Sequence, residues 1–176
     1  MKPLLIACCL LSAATLAWGA EKRELLARQE TVAEFRGLHY QQCRGLTGLC
    51  PDKCGSSGNM ARFRIVKYLV YEKPGEYGDP KQEEFIVQVD DNLGKLKLPQ
   101  AQVKLIRDLK PGDFVRLAWR HDYVTRDGSS FPERPLTAVE KLTHEQAKKL
   151  AGDMPLKSGT KTDAPVEGIN SPRFMR

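Results

Sequence analysis

The sequence predicts a mainly β domain. The expected core is a small five-stranded Greek-key barrel with one short helix between its third and fourth strands, preceded by an N-terminal helix and a Cys/Gly-rich loop. Three observations predict it. Apolar residues alternate through 84–90, where Phe85, Val87 and Val89 share a face, and through 114–124, where Val115, Leu117, Trp119, His121 and Tyr123 stay in phase. Turn residues cluster between these runs, as in Lys73-Pro74-Gly75 and Lys110-Pro111-Gly112-Asp113. The helix-period stretch 100–109, with Val103, Ile106 and Leu109 inward, follows three strand-like runs and precedes two.

The chain has 176 residues, enough for one substantial hydrophobic core. Residues 1–19 read as an export signal. Lys2 is the basic start, Leu4 to Leu16 the apolar stretch, and Ala17-Trp18-Gly19 a small-x-small cleavage site. The apolar run is too short to span a bilayer, so no membrane span is expected after cleavage. The expected location is periplasmic or secreted.

Residues 20–36 carry Leu25, Leu26, Val32 and Phe35 among balanced charges, and Glu24 stands four residues before Arg28. This predicts an amphipathic helix ended by Gly37. Residues 37–59 form a loop with five glycines and three cysteines, long enough to need stapling or a function. Residues 60–143 form the barrel. Its expected strands are 61–71, bent near Val66, then 84–90, the short 95–98, 114–124 and 135–142, with 125–134 as a loop. Residues 144–176 read as a short helical start followed by a polar, disordered tail.

Three strands, a helix and two strands in this order give the topology of the OB-fold. The stretch Leu109 to Leu142, which opens on the Leu-x-Pro-Gly-Asp turn, resembles the second half of OB-like domains in uncharacterised secreted bacterial proteins. The resemblance covers 60–143 at the level of topology. It implies a binding module and carries no catalytic residue.

Function is read from the loops and the cysteines. The net charge of +6 is spread along the chain and does not single out nucleic acid, which export also disfavours. Nucleophile elbows, zinc-protease helices and phosphate loops do not occur, so no catalytic residue is assigned and a non-enzymatic role is expected. On an OB barrel the loops after strands 1 and 4 flank the ligand surface. Here they offer Tyr77, Lys81, Tyr123, Arg126, Phe131 and Arg134, aromatic rings with nearby cations. A glycan, a peptide or an envelope protein is the expected partner, with no cofactor.

The alternative is a metal-binding or redox protein. His39, Cys43, Cys50 and Cys54 supply one imidazole and three thiols within 16 residues, a set suited to zinc or copper. His121, near the end of the fourth expected strand, is a further candidate ligand. In an exported chain the same cysteines also predict one disulfide and a spare thiol, with Cys43–Cys54 closing the widest loop.

Overall fold

The computed structural model describes residues 21–43 and 55–152. The expected export signal, Cys50, Cys54 and the expected tail beyond 152 lie outside the described residues.

The first described element is a strand, not a helix. β1 (Lys22–Gln41) runs for 20 residues and pairs antiparallel with both of its neighbours. Its composition of Glu, Arg, Ala and Leu favours helix locally. Pairing on two sides overrides that preference, since each residue gains ladder bonds and packing that an isolated helix lacks. The inward row is Ala27, Gln29, Thr31, Ala33 and Phe35, all buried. Small and polar members in that row disguise its period of two. Gly37 does not end a helix. It sits at a register shift between Phe35 and Gly37 with φ of +121°, a bulge conformation that favours glycine.

β2 (Gly58–Glu72) therefore comes second in the sheet, one place later than the sequence suggests. β3 (Glu84–Asp91) follows, and the expected strand 95–98 reduces to a single bridge between Asp90 and Leu96. α1 (Gln100–Asp108) buries Val103 and Ile106, as its period requires. β4 (Phe114–Arg126) turns at Asp127-Gly128 into β5 (Ser129–Glu133), within the stretch expected to be loop. Both turn residues have positive φ, +51° and +75°, the hairpin geometry for which Asp-Gly is suited. β6 (Leu136–Leu142) returns along β4. α2 (His144–Ala151) starts at a capping box, in which Thr143 accepts from the Gln146 backbone and Gln146 reaches back to Thr143 N.

The sheet is antiparallel and six-stranded, in the order β3-β2-β1-β4-β5, with β6 also on β4. It is open, not the closed barrel expected, because β3 and β6 are not paired. It is nevertheless strongly curled. Phe85 of β3 meets Trp119 of β4 with ring centroids 4.3 Å apart. In a flat sheet those strands would lie three spacings apart, about 14 Å. The curl forms an inner face whose core joins Phe35, Phe63, Phe85, Leu117, Trp119 and Val139, and α1 adds Val103 and Ile106. α2 covers part of the outer face, where Ala147 packs with Val32 and Phe114.

Candidate polar site at the open end of the inner face

Strand register assembles the site. Along β1 and β4, Ala27 stands opposite His121 and Gln29 opposite Trp119. Along β1 and β2, Gln29 stands opposite Tyr71 and Thr31 opposite Tyr68. Directly paired residues share a face, so Gln29 lies between two aromatic residues with the small Ala27 beside it. Gln29 and Trp119 are fully buried and His121 is 4% exposed. Five of their side-chain atoms have no hydrogen-bond partner: Oε1 and Nε2 of Gln29, Nε1 of Trp119, and both ring nitrogens of His121. Buried polar groups are nearly always paired, and each orphan costs about 1–3 kcal/mol. Thr31, one step along the same row, is different: its hydroxyl donates to Leu117 O at 3.4 Å.

The segment 73–83 lies across this end. Gly75 N donates to Leu26 O at 3.1 Å. Gly78 packs so closely that a Cβ there would stand 2.2 Å from Leu26 O, so the loop can lie flat only without a side chain. Tyr71 Oη donates to Asp79 O at 3.2 Å, while Tyr68 Oη donates to Gln82 O and accepts from Gln82 N at 2.9 and 2.7 Å. The Asp79 carboxylate accepts two bonds from Arg134, at 2.7 and 2.8 Å. It also lies 3.1 Å from His121 Nδ1, without the alignment of a hydrogen bond.

These contacts set the charges. The hydrogen bonds from Arg134 hold the Asp79 carboxyl below its ordinary range. Burial pushes the His121 imidazole down and outweighs the opposing pull of Asp79 and Asp122. His121 is therefore neutral near pH 7, with one nitrogen a donor and the other an acceptor. The flanking arginines are engaged: Arg23 with Glu133 at 2.8 Å, Arg120 with Asp122 at 2.9 Å, and Arg126 with Glu21.

The six residues expected to bind a ligand are only partly gathered. Tyr77 is 78% exposed at the crest of the 73–83 loop. Lys81 stands over the rings of Tyr68 and Tyr71, its Nζ 5.4 and 5.2 Å from their centroids. Arg134 joins the same loop through Asp79. Tyr123 and Phe131 are separated. Tyr123 pairs with Pro132, and its neighbour Val124 pairs with Phe131, so the two rings lie on opposite faces of the hairpin. Arg126 stands 5.8 Å from the Phe131 ring. Gln29 and Asp79 were absent from the expectation. Gln29 was concealed by the helical reading of 20–36. The signal that exposes it is one long polar amide in an otherwise small or apolar inward row.

Of the expected metal ligands, His39 does not converge on His121, and Cys50 and Cys54 lie outside the described residues. His39 pairs with Met60 at the far end of β1, whereas His121 pairs with Ala27 near its start. That is on the order of 40 Å of strand path. The sequence reading brought them together by taking 61–71 as the first strand. His39 and Cys43 do line one surface hollow with Tyr40 and Ser56. Cys43 carries a free thiol and donates its backbone N–H to Ser57 Oγ at 2.7 Å. Among the described residues no disulfide is present, and no group of three His, Cys, Asp or Glu is placed to hold a metal ion.

No family model, curated protein or solved structure matches the chain. Among the described residues, no helix is long and apolar enough to cross a membrane.

Proposed function

We propose that this chain is a non-enzymatic, exported binding module of OB-like topology, which takes a glycan, a peptide or an envelope partner at the polar end of its inner face. The topology reading is supported by a long first strand shared between β2 and β4, a helix between β3 and β4, and a curled sheet. Export is supported by the signal-like residues 1–19. The observation that carries the function is the set of five unpaired polar atoms on Gln29, Trp119 and His121. A fold does not keep such atoms for stability, because each one lowers it. A ligand that bonds them gives a reason for their presence.

Tyr77 and Lys81 form the exposed rim of this site. Calorimetric titration of the purified protein against arrayed glycans and extended peptides tests the proposal. Tyr77→Ala with Lys81→Ala is expected to weaken binding about tenfold, since exposed anchors of this type carry about 1–2 kcal/mol. Binding indifferent to both changes contradicts the location. Silence from both ligand classes contradicts the function. The alternative metal or redox reading rests on His39 and Cys43 lining one hollow. One zinc or copper per chain in the purified protein, lost on His39→Ala, moves the functional centre there.

A further inference from the structure

We infer that the polar end of the inner face is an enclosed site for a neutral, hydroxylated ligand group, of which a sugar ring is the type, and that the 73–83 segment is its cover. This rests on the binding-module reading above and narrows it to one ligand chemistry.

The first argument is the inventory of atoms. Gln29 offers an amide N–H pair and a carbonyl oxygen, Trp119 offers one indole N–H, and His121 offers Nε2, its Nδ1 lying 3.1 Å from Asp79 Oδ1. Donors and acceptors are mixed within one small region. A hydroxyl both donates and accepts, so a group with several hydroxyls can satisfy such a mixture. A carboxylate or phosphate only accepts and would leave Gln29 Oε1 facing an anion.

The second argument is charge. A buried anion needs a buried cation. Arg134 is bound by two hydrogen bonds to Asp79, Arg23 by Glu133, and Arg120 by Asp122. Lys81 stands outside, over the tyrosine rings. His121 is held neutral by its burial. Lys73, near Asp79, is exposed as well, so an anion that enters would find no buried cation beside these atoms.

The third argument is shape. Trp119 and Tyr71 flank Gln29 in register, and Ala27 beside it brings no bulk. Flat aromatic walls with a few fixed polar atoms suit a ring that has apolar faces and polar edges. Because Gln29 and Trp119 are fully buried, a ligand reaches them only when their cover moves. The 73–83 segment is tied down by hydrogen bonds and by the Asp79–Arg134 pair, with Tyr77 exposed, and not by a large apolar contact. Such a segment opens at lower cost than the core strands.

Trp119 supplies the readout. The chain has two tryptophans, and Trp18 leaves with the expected export signal, so Trp119 is the single indole of the processed chain. The probes are glucose, galactose, mannose and N-acetylglucosamine, with inorganic phosphate and acetate as charged controls. At least one sugar is expected to shift Trp119 emission saturably, and Gln29→Leu is expected to weaken that response at least tenfold. Gln29→Met replaces Gln29→Leu if the latter does not unfold cooperatively. A response to phosphate or acetate that Gln29→Leu abolishes overturns the ligand class and leaves the binding module standing. A sugar response unchanged by either Gln29 variant overturns the site. No response to any sugar overturns the inference, and the array titration with Tyr77→Ala then decides the broader reading separately.

Discussion

Near the two ends of β1, buried polar side chains are treated differently, although His39 Nδ1 at the C-terminal end is itself unpaired. At its C-terminal end, beside the start of β2, Asp90 is buried and fully engaged. Its Oδ1 accepts from Asn59 Nδ2 at 2.7 Å and from Asn59 N at 3.3 Å, and its Oδ2 meets Arg107 at 2.7 Å. Asp91 beside it accepts from the backbone of Leu93 and Lys95 at 3.0 and 2.8 Å and pairs with Lys97 at 2.9 Å. At the N-terminal end, Gln29, Trp119 and His121 are as buried and leave five atoms unpaired. The first pattern is scaffold, where each polar atom fixes a turn. The second is the pattern on which the proposed binding site rests. Burial alone does not separate the two; satisfaction does.

The comparison breaks hardest at its glycines. A Cβ on Gly58 would stand 2.0 Å from Asp90 O, at a φ of +159°. Gly58→Ala is expected to cost about 3 kcal/mol, because the main chain of β2 and β3 would have to separate. Gly78→Ala meets Leu26 O at 2.2 Å, but the loop can lift instead. Its expected cost is about 1 kcal/mol, with faster amide exchange confined to 73–83. Urea unfolding with hydrogen exchange checks both. Equal global losses would mean that the loop is part of the scaffold.

Acidification separates the ends less sharply. Burial lowers the imidazoles of both His121 and His39 from their ordinary value of 6.5. A depressed folded value means that the unfolded chain takes up the proton first. Stability is thus complete above pH 6.5 and falls as pH drops through the folded values. Asp79, also depressed, adds a loss below its ordinary 3.8. Urea midpoints across pH should show a decline beginning below 6.5. His121→Gln should remove its share together with the protection of 73–83, and His39→Gln should remove a share without touching that loop. A flat profile down to pH 5 contradicts the lowered imidazoles of both.

Much of the right-hand part of the sheet was legible. Strand β4 declared itself through Val115, Leu117 and Trp119, and α1 through Val103 and Ile106, because apolar periodicity reports burial directly. β1 was not legible. Ala27, Gln29, Thr31 and Ala33 bury without being strongly apolar, while its leucines and charges imitate a helix. Misplacing β1 hid Gln29 and moved 61–71 and 84–90 one place along the strand order, while 114–124 stayed fourth because 95–98 is only a bridge. The hairpin at Asp127-Gly128 carried a readable signal, since Asp-Gly between two strand-like runs is a turn in its own right. The site was half legible: the loops were named, but the floor belongs to residues brought together by register over long sequence separations.

The smallest expected effect is the most direct test. Removing a satisfied buried group should destabilise, whereas removing an unsatisfied one should not. Urea unfolding of Asp90→Ala and Gln29→Leu side by side measures the difference. Asp90→Ala is expected to lose about 2 kcal/mol as its bonds to Asn59 and Arg107 disappear. Gln29→Leu, similar in size and relieved of two orphan atoms, is expected to unfold within about 1 kcal/mol of the parent or above it. A loss for Gln29→Leu as large as that for Asp90→Ala would contradict the account and make Gln29 one more strut of the scaffold.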